Sequence, residues 1–278
     1  MTNTVPDAIL SELRTEIDRI DAGMHSLLME RGRIIDRLIE VKGKQGGGSA
    51  FRPGREASMM HELLRRHSGI LPLDTIEGIW RIIIATFTYV QSRFSVHADC
   101  AGGDAAMRDS VRFHFGFTVP LVTHGAAKAV IDAVAKSSGD LGLIRIEYPG
   151  AGNPWWLALT LPDAPKIIAR YPTIDRPAHP AHLPVFVISK PLYEAASRDV
   201  IIRSVNIDRW NERIEKELAK FEGEILGSGA EGSGLSLLLS LPGAVAESEL
   251  IGALKSSGVA DIRQSEIGSH AIRNSMHG

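Results

Sequence analysis

From Leu10 onward, the apolar positions Leu13, Ile17, Ile20, Met24 and Leu27 recur at alternating steps of three and four residues, and Ile34, Leu38 and Val41 continue the rhythm. That spacing keeps one apolar stripe on one face, so it predicts a single long amphipathic helix closing near Gly43. The stretch KQGGGSAFRPG then reads as a loop whose Pro53 opens a second helix over residues 55–66, with Met59, Met60, Leu63 and Leu64 on its apolar face. Gly69 and Pro72 break it. Asp74 with Glu77 three residues later has the form of a capping box for a third helix, whose Ile76, Ile79, Trp80, Ile83, Ile84, Phe87 and Val90 are expected mostly inward.

After Phe94 the pattern changes. HADCAGGDA is small and polar, and beyond it helical periods alternate with short apolar runs, the mark of an α/β unit. The reading is a helix at 104–115, a strand at 118–123, a helix at 126–137 and strands near 141–146 and 156–161. A proline- and histidine-rich loop at 172–184 leads into the strand PVFVIS. The last segment offers a strand at 200–205, a helix at 208–221, a hairpin over 224–241, a helix at 247–256 and a strand at 259–267. Its βαββαβ order suggests a ferredoxin-like domain. The chain is therefore expected to be multidomain: a helical domain at 1–97, an α/β region at 104–190 and the ferredoxin-like α+β unit at 198–278.

Composition narrows the partners. At 278 residues, with 44% hydrophobic and 23% charged residues, the chain has room for substantial cores, and a net charge of -2 gives no electrostatic footing for nucleic acid or an anionic membrane. Cys100 is the only cysteine, which excludes an intramolecular disulfide and fits a reducing compartment. The most apolar run, around 79–90, carries Arg81 and is too short for a membrane span, so a cytoplasmic protein is expected.

The informative anomaly is Arg31, which falls where the first helix's rhythm calls for another leucine or methionine. An unpaired guanidinium in an apolar stripe costs several kcal/mol, so Arg31 either snorkels to the stripe's edge or meets a carboxylate of the protein or of a ligand. Lys42, three turns on and roughly 16 Å along the axis, returns to the same face, leaving space between two cations for a small dianion. Arg14 lies roughly 25 Å from Arg31 on another face and could join that site only from an antiparallel partner helix. A helix this long also outruns the two shorter ones as a cover for its stripe, a separate reason to expect a homodimer. Gln91 closes the third helix on its apolar side, where an amide needs partners. Arg55 and Glu56 open the second helix, Glu56 favoured there by the helix dipole.

The segments LRTEID with Arg14, LLMERGRI with Arg31, Val41-Lys42, Arg55-Glu56 after the loop, and Gln91 are similar in order and spacing to the all-helical chorismate mutases, over about a third of the chain. The resemblance implies a three-helix domain in a helix-swapped dimer that rearranges chorismate to prephenate in aromatic amino acid biosynthesis, with no cofactor and no metal. Arg31 and the partner subunit's Arg14 would hold the two carboxylates, Lys42 a carboxylate and the ether oxygen, Gln91 the same ether oxygen and Glu56 the ring hydroxyl. Arg55 would support the loop that closes over the site. Arg52 and Phe87 fall at two further contact positions, where the family usually has an acidic and a small polar residue.

The segment from Val111 to Gly150 looks like part of a prephenate dehydratase, but the Thr-Arg-Phe signature of that family is absent and the comparable strand reads PVFVISKP. A noncatalytic regulatory or scaffolding region is the expectation, with an aromatic amino acid as possible effector of the C-terminal unit. Two other readings stay open: a bifunctional mutase and dehydratase, and an inactive amino-acid-sensing or partner-binding protein. GSGAEG leads into a strand pattern and reads as a hairpin turn, not a nucleotide loop, and His179 and His182 sit in a proline-rich loop without a ligand cluster.

Overall fold

The computed structural model describes residues 4–43, 50–146, 154–191 and 197–273. The chain divides into two compact units, Met1–Gly48 and Ser49–Gly278. The first is one helix, α1 (Thr4–Gly43), 40 residues long. Its predicted stripe is exposed along its length, Leu13, Ile17, Met24, Leu27 and Ile34 each by more than half.

The second unit begins with α2 (Pro53–Arg66), with Pro at its first turn as the sequence suggests, and α3 (Leu73–Gln91). The rest is built on one nine-stranded sheet of order β2-β1-β3-β5-β4-β9-β6-β8-β7. The strands are β1 (Val96–Asp99), β2 (Leu121–His124), β3 (Leu141–Arg145), β4 (Lys166–Tyr171), β5 (Val185–Ser189), β6 (Val200–Ile207), β7 (Glu224–Glu231), β8 (Gly234–Pro242) and β9 (Arg263–His270). Helices α4 (Asp104–Phe115), α5 (Ala127–Lys136), α6 (Arg213–Ala219) and α7 (Glu247–Ser256) connect them. β2, β1 and β3 run parallel, as crossovers through α4 and α5 require.

Strand alternation assigns the layers. On β5, Val185 and Val187 face the α4 core with Met107, Val111 and Phe115, while Phe186 and Ile188 face the α5 core with Val130, Ile131 and Val134. Gly142 of β3 lets α5 approach: a Cβ there would lie 2.6 Å from Val130 and 2.7 Å from Ile188. A third core joins Leu237, Leu239 and Leu241 of β8 to Ile214 and Leu218 of α6 and Leu250 and Leu254 of α7. β6 to β9 follow the βαββαβ order with antiparallel neighbours. The GSGAEG motif ends β7, and Gly232 at φ +57° begins the two-residue turn into β8. One pairing, Ile167 with Gly268, carries the sheet from β4 to β9.

Four elements differ from the sequence reading. Residues 156–161, expected as a strand, form a 3₁₀ helix at Trp155–Leu159 instead. Trp155, Trp156 and Leu159 all bury, a helical spacing that an extended strand, alternating its faces, cannot satisfy. β1 and β4 were not expected at all. The fourth is the orientation of α3, whose buried face is Glu77, Arg81, Ile84, Ala85 and Thr88, while Ile79, Ile82 and Val90 are exposed. Its polar residues turn inward because they meet partners there.

Candidate functional site

Those partners form a buried polar cluster. Arg81 of α3 is only 2% exposed and lies 3.7 Å from both the Glu56 carboxylate of α2 and the Glu77 carboxylate one turn earlier. Its guanidinium donates to Tyr171 Oη at 3.3 Å and to Thr173 Oγ1 at 2.9 Å. Thr173 Oγ1 in turn donates to Glu77 at 2.9 Å, and Arg176 donates to the other Glu77 oxygen. Two cations thus face two carboxylates in a nearly dry space, the arrangement that lets buried charges persist. His114 of α4 stacks on Tyr171 at 4.2 Å between ring centroids.

The electrostatics follow from burial. Desolvation pushes the Glu56 carboxyl up to about 7, against the pull of Arg81 toward the charged form. Burial also raises the Tyr171 phenol, and it holds the His114 imidazole well below its usual range, assisted by Arg81, Arg176 and His179. Burial lowers Arg81 itself, but Tyr171, Glu77 and Glu56 outweigh it and the guanidinium is held charged.

The predicted site residues divide between the two units. Arg14 on α1 is exposed and Arg31 is half-buried; the side chain of Lys42 lies outside the described residues, as does most of the glycine-rich loop. In the second unit, Arg52 and Arg55 are exposed, and the Arg52 guanidinium donates to Phe51 O at 3.0 Å. Phe87 is half-buried. The Gln91 amide donates to Phe87 O at 3.0 Å, one helical turn earlier. Of the seven whose side chains are described, Glu56 is the one that the structure brings into the buried cluster. Arg81, Glu77, Tyr171, Thr173 and Arg176 were not expected there. Arg81 was visible as a charge inside the most apolar run, the same signal that singled out Arg31. Glu77 is no cap: α3 starts a residue before Asp74, and Glu77 serves Arg81, Thr173 and Arg176.

A second polar chain crosses β1. Ser95 N–H donates to Asp140 at 2.7 Å, the other Asp140 oxygen meets His97 Nε2 at 3.1 Å, and His97 Nδ1 meets His124 Nε2 at 2.9 Å. Asp99, at the carboxyl end of the same strand, is fully buried, its carboxyl raised by desolvation. Among the described residues, no group of three or more histidine, cysteine or acidic side chains is placed to hold a metal ion, and no helix is long and apolar enough to cross a membrane.

A helical N-terminal part followed by a mixed α/β sheet region defines a multidomain protein. Residues 13–92 match the family model of chorismate mutase type II. The chain is 28% identical over 142 residues to a bifunctional chorismate mutase/prephenate dehydratase of Aquifex aeolicus, covering 50% of this chain and 39% of that protein. It is 27% identical over 116 residues to a protein of the same description from Neisseria gonorrhoeae, covering 42% and 31%. The chain thus spans well under half the length of these relatives. Similar solved structures include the prephenate dehydratase of Streptococcus mutans, at 11% identity and TM-score 0.42, covering 65% of this chain and 98% of that one. The prephenate dehydratase of Staphylococcus aureus is similar at 12% identity and TM-score 0.39, covering 64% and 100%.

Proposed function

We propose that the protein rearranges chorismate to prephenate. The observation that carries this reading is the family match itself, because residues 13–92 include Arg14, Arg31, Lys42, Arg52, Arg55, Glu56, Phe87 and Gln91. In this reading Arg31 and the partner subunit's Arg14 bind the two substrate carboxylates. Lys42 and Gln91 meet the ether oxygen and Glu56 accepts from the ring hydroxyl, with Arg52, Arg55 and Phe87 around them. The reaction is a unimolecular pericyclic step that moves no proton and forms no enzyme-bound intermediate. Catalysis then consists of holding the compact conformer and stabilising the negative charge that grows on the ether oxygen as its C–O bond breaks. An acceleration of about 10⁶ requires about 8 kcal/mol, within reach of preorganised cations in a dry site.

A homodimer belongs to the reading. The exposed stripe of α1 is a continuous apolar surface of the length that a second copy's helix would cover, and it would bring the partner's Arg14 into the site. The sheet region is read as regulatory or scaffolding, with an aromatic amino acid as the effector class. A bifunctional mutase and dehydratase is the second reading, favoured by one observation: the 142 residues aligned with the Aquifex aeolicus protein exceed the span 13–92.

Incubating the purified protein with chorismate tests both. Prephenate should form, and Arg31→Ala should lower turnover by at least about 10²-fold, the scale of losing one preorganised charge, with helix content unchanged. An Arg31→Ala protein of wild-type activity would overturn the site. Phenylpyruvate released from added prephenate would replace the first reading by the second.

A further inference from the structure

Glu56 stands at the junction between the helices and the sheet region. It lines a narrow recess with Arg81, Tyr171 and Thr173. The charged and titratable groups around it come from the elements packed there: Arg81 from α3, His114 from α4, and Arg170 and Tyr171 from β4, with Glu77 of α3 on the far side of Arg81's contacts. Arg81 is the group closest in charge and distance, and it is not free to swing. Two hydroxyls beyond the helical domain, Tyr171 Oη and Thr173 Oγ1, hold its two terminal nitrogens, and Glu77 stands beside its Nε.

We propose that Arg81 is a positioning residue for Glu56, and that the sheet segment 171–176, by fixing Arg81, sets the charge and orientation of the carboxylate that meets the substrate hydroxyl. The proposal rests on the mutase reading and deepens it. Its physical basis is charge balance. With Arg176 committed to Glu77, the Arg81 guanidinium is the counter-charge that draws Glu56 toward its ionised form in a place where burial favours the neutral acid. A hydroxyl donor needs the carboxylate form. A displacement of the 171–176 segment that loosened Arg81 would therefore weaken substrate binding at low and neutral pH and spare it at high pH, where Glu56 ionises regardless.

The test is the pH dependence of kcat/KM for chorismate in the full-length protein, set beside a carbon-13 NMR titration of the Glu56 carboxyl. Arg81→Gln removes the positive charge that lies 3.7 Å from that carboxyl and should move the acid limb and the NMR midpoint upward together by at least about one unit. At pH 6.5 that is about tenfold in kcat/KM, with near wild-type activity recovered at pH 9. Arg81→Lys keeps the charge and should restore most of the shift, a rescue that a purely structural role would not give. Thr173→Val, which leaves every charge in place, should shift the limb in the same direction by less, and it carries the test if Arg81→Gln does not fold. An NMR midpoint and an acid limb that stay put in Arg81→Gln, or in Thr173→Val, overturn the proposal while leaving the mutase reading standing. Absence of prephenate from the wild-type protein at every pH overturns the mutase reading instead, and the NMR comparison still reports whether Arg81 governs Glu56.

Discussion

His270, at the end of β9, is buried beside Phe186, and desolvation pulls its imidazole down to about 4 from an ordinary 6.5, with Arg170 and Arg273 acting in the same direction. A depressed histidine binds fewer protons in the folded state, so its contribution is intact above pH 6.5 and is lost as pH falls toward 4. Glu56 acts in the opposite sense: its raised value of about 7 favours the fold below its ordinary 4.5 and loses that contribution as pH rises through 7. Replacing His270 by phenylalanine removes the first effect alone. Urea unfolding across pH 4 to 6.5 should show the His270→Phe protein losing less stability than wild type by on the order of 3 kcal/mol, and parallel curves would contradict the assignment. At this scale the sequence was partly legible. One rule, that a charge in an apolar period needs a partner, applied to Arg31 and equally to Arg81. Arg81's partners Tyr171 and Thr173 lie about ninety residues away, and periodicity cannot see a contact of that separation.

Helices were the readable elements. α4 and α7 have the bounds their periods predict, and α2 starts at its proline. The missed strands are short or internal: β1 is four residues with His97 and Asp99 in it, and β4 carries charge at Lys166 and Arg170. Neither alternates clearly enough to register as half-buried. The junction between β4 and β9 depends on a detail below the resolution of any pattern. Gly268 sits at φ +149°, and a Cβ there would lie 2.1 Å from Ile167 O, so only glycine admits this approach. Gly268→Ala should destabilise the protein by about 1–3 kcal/mol or more through strain and displaced pairing. A thermal midpoint equal to that of wild type would show that the close approach is dispensable.

For the molecule as a whole, the N-terminal helical pattern carried the family likeness, and residues 13–92 match chorismate mutase type II. The sheet region was legible as element order, including βαββαβ, but its joining into one nine-stranded sheet was not, since a single pairing makes that connection. The proposed site draws on two chains, which sets its most direct test. Arg14→Ala and Arg31→Ala chains, each with little activity alone, are unfolded, mixed in equal amounts, refolded and assayed for prephenate formation from chorismate. Each mixed dimer regains one intact site, with Arg31 from one chain and Arg14 from its partner, so the mixture should recover about a quarter of wild-type activity. A mixture no more active than the separate variants, with mixed dimers present, would contradict the shared site.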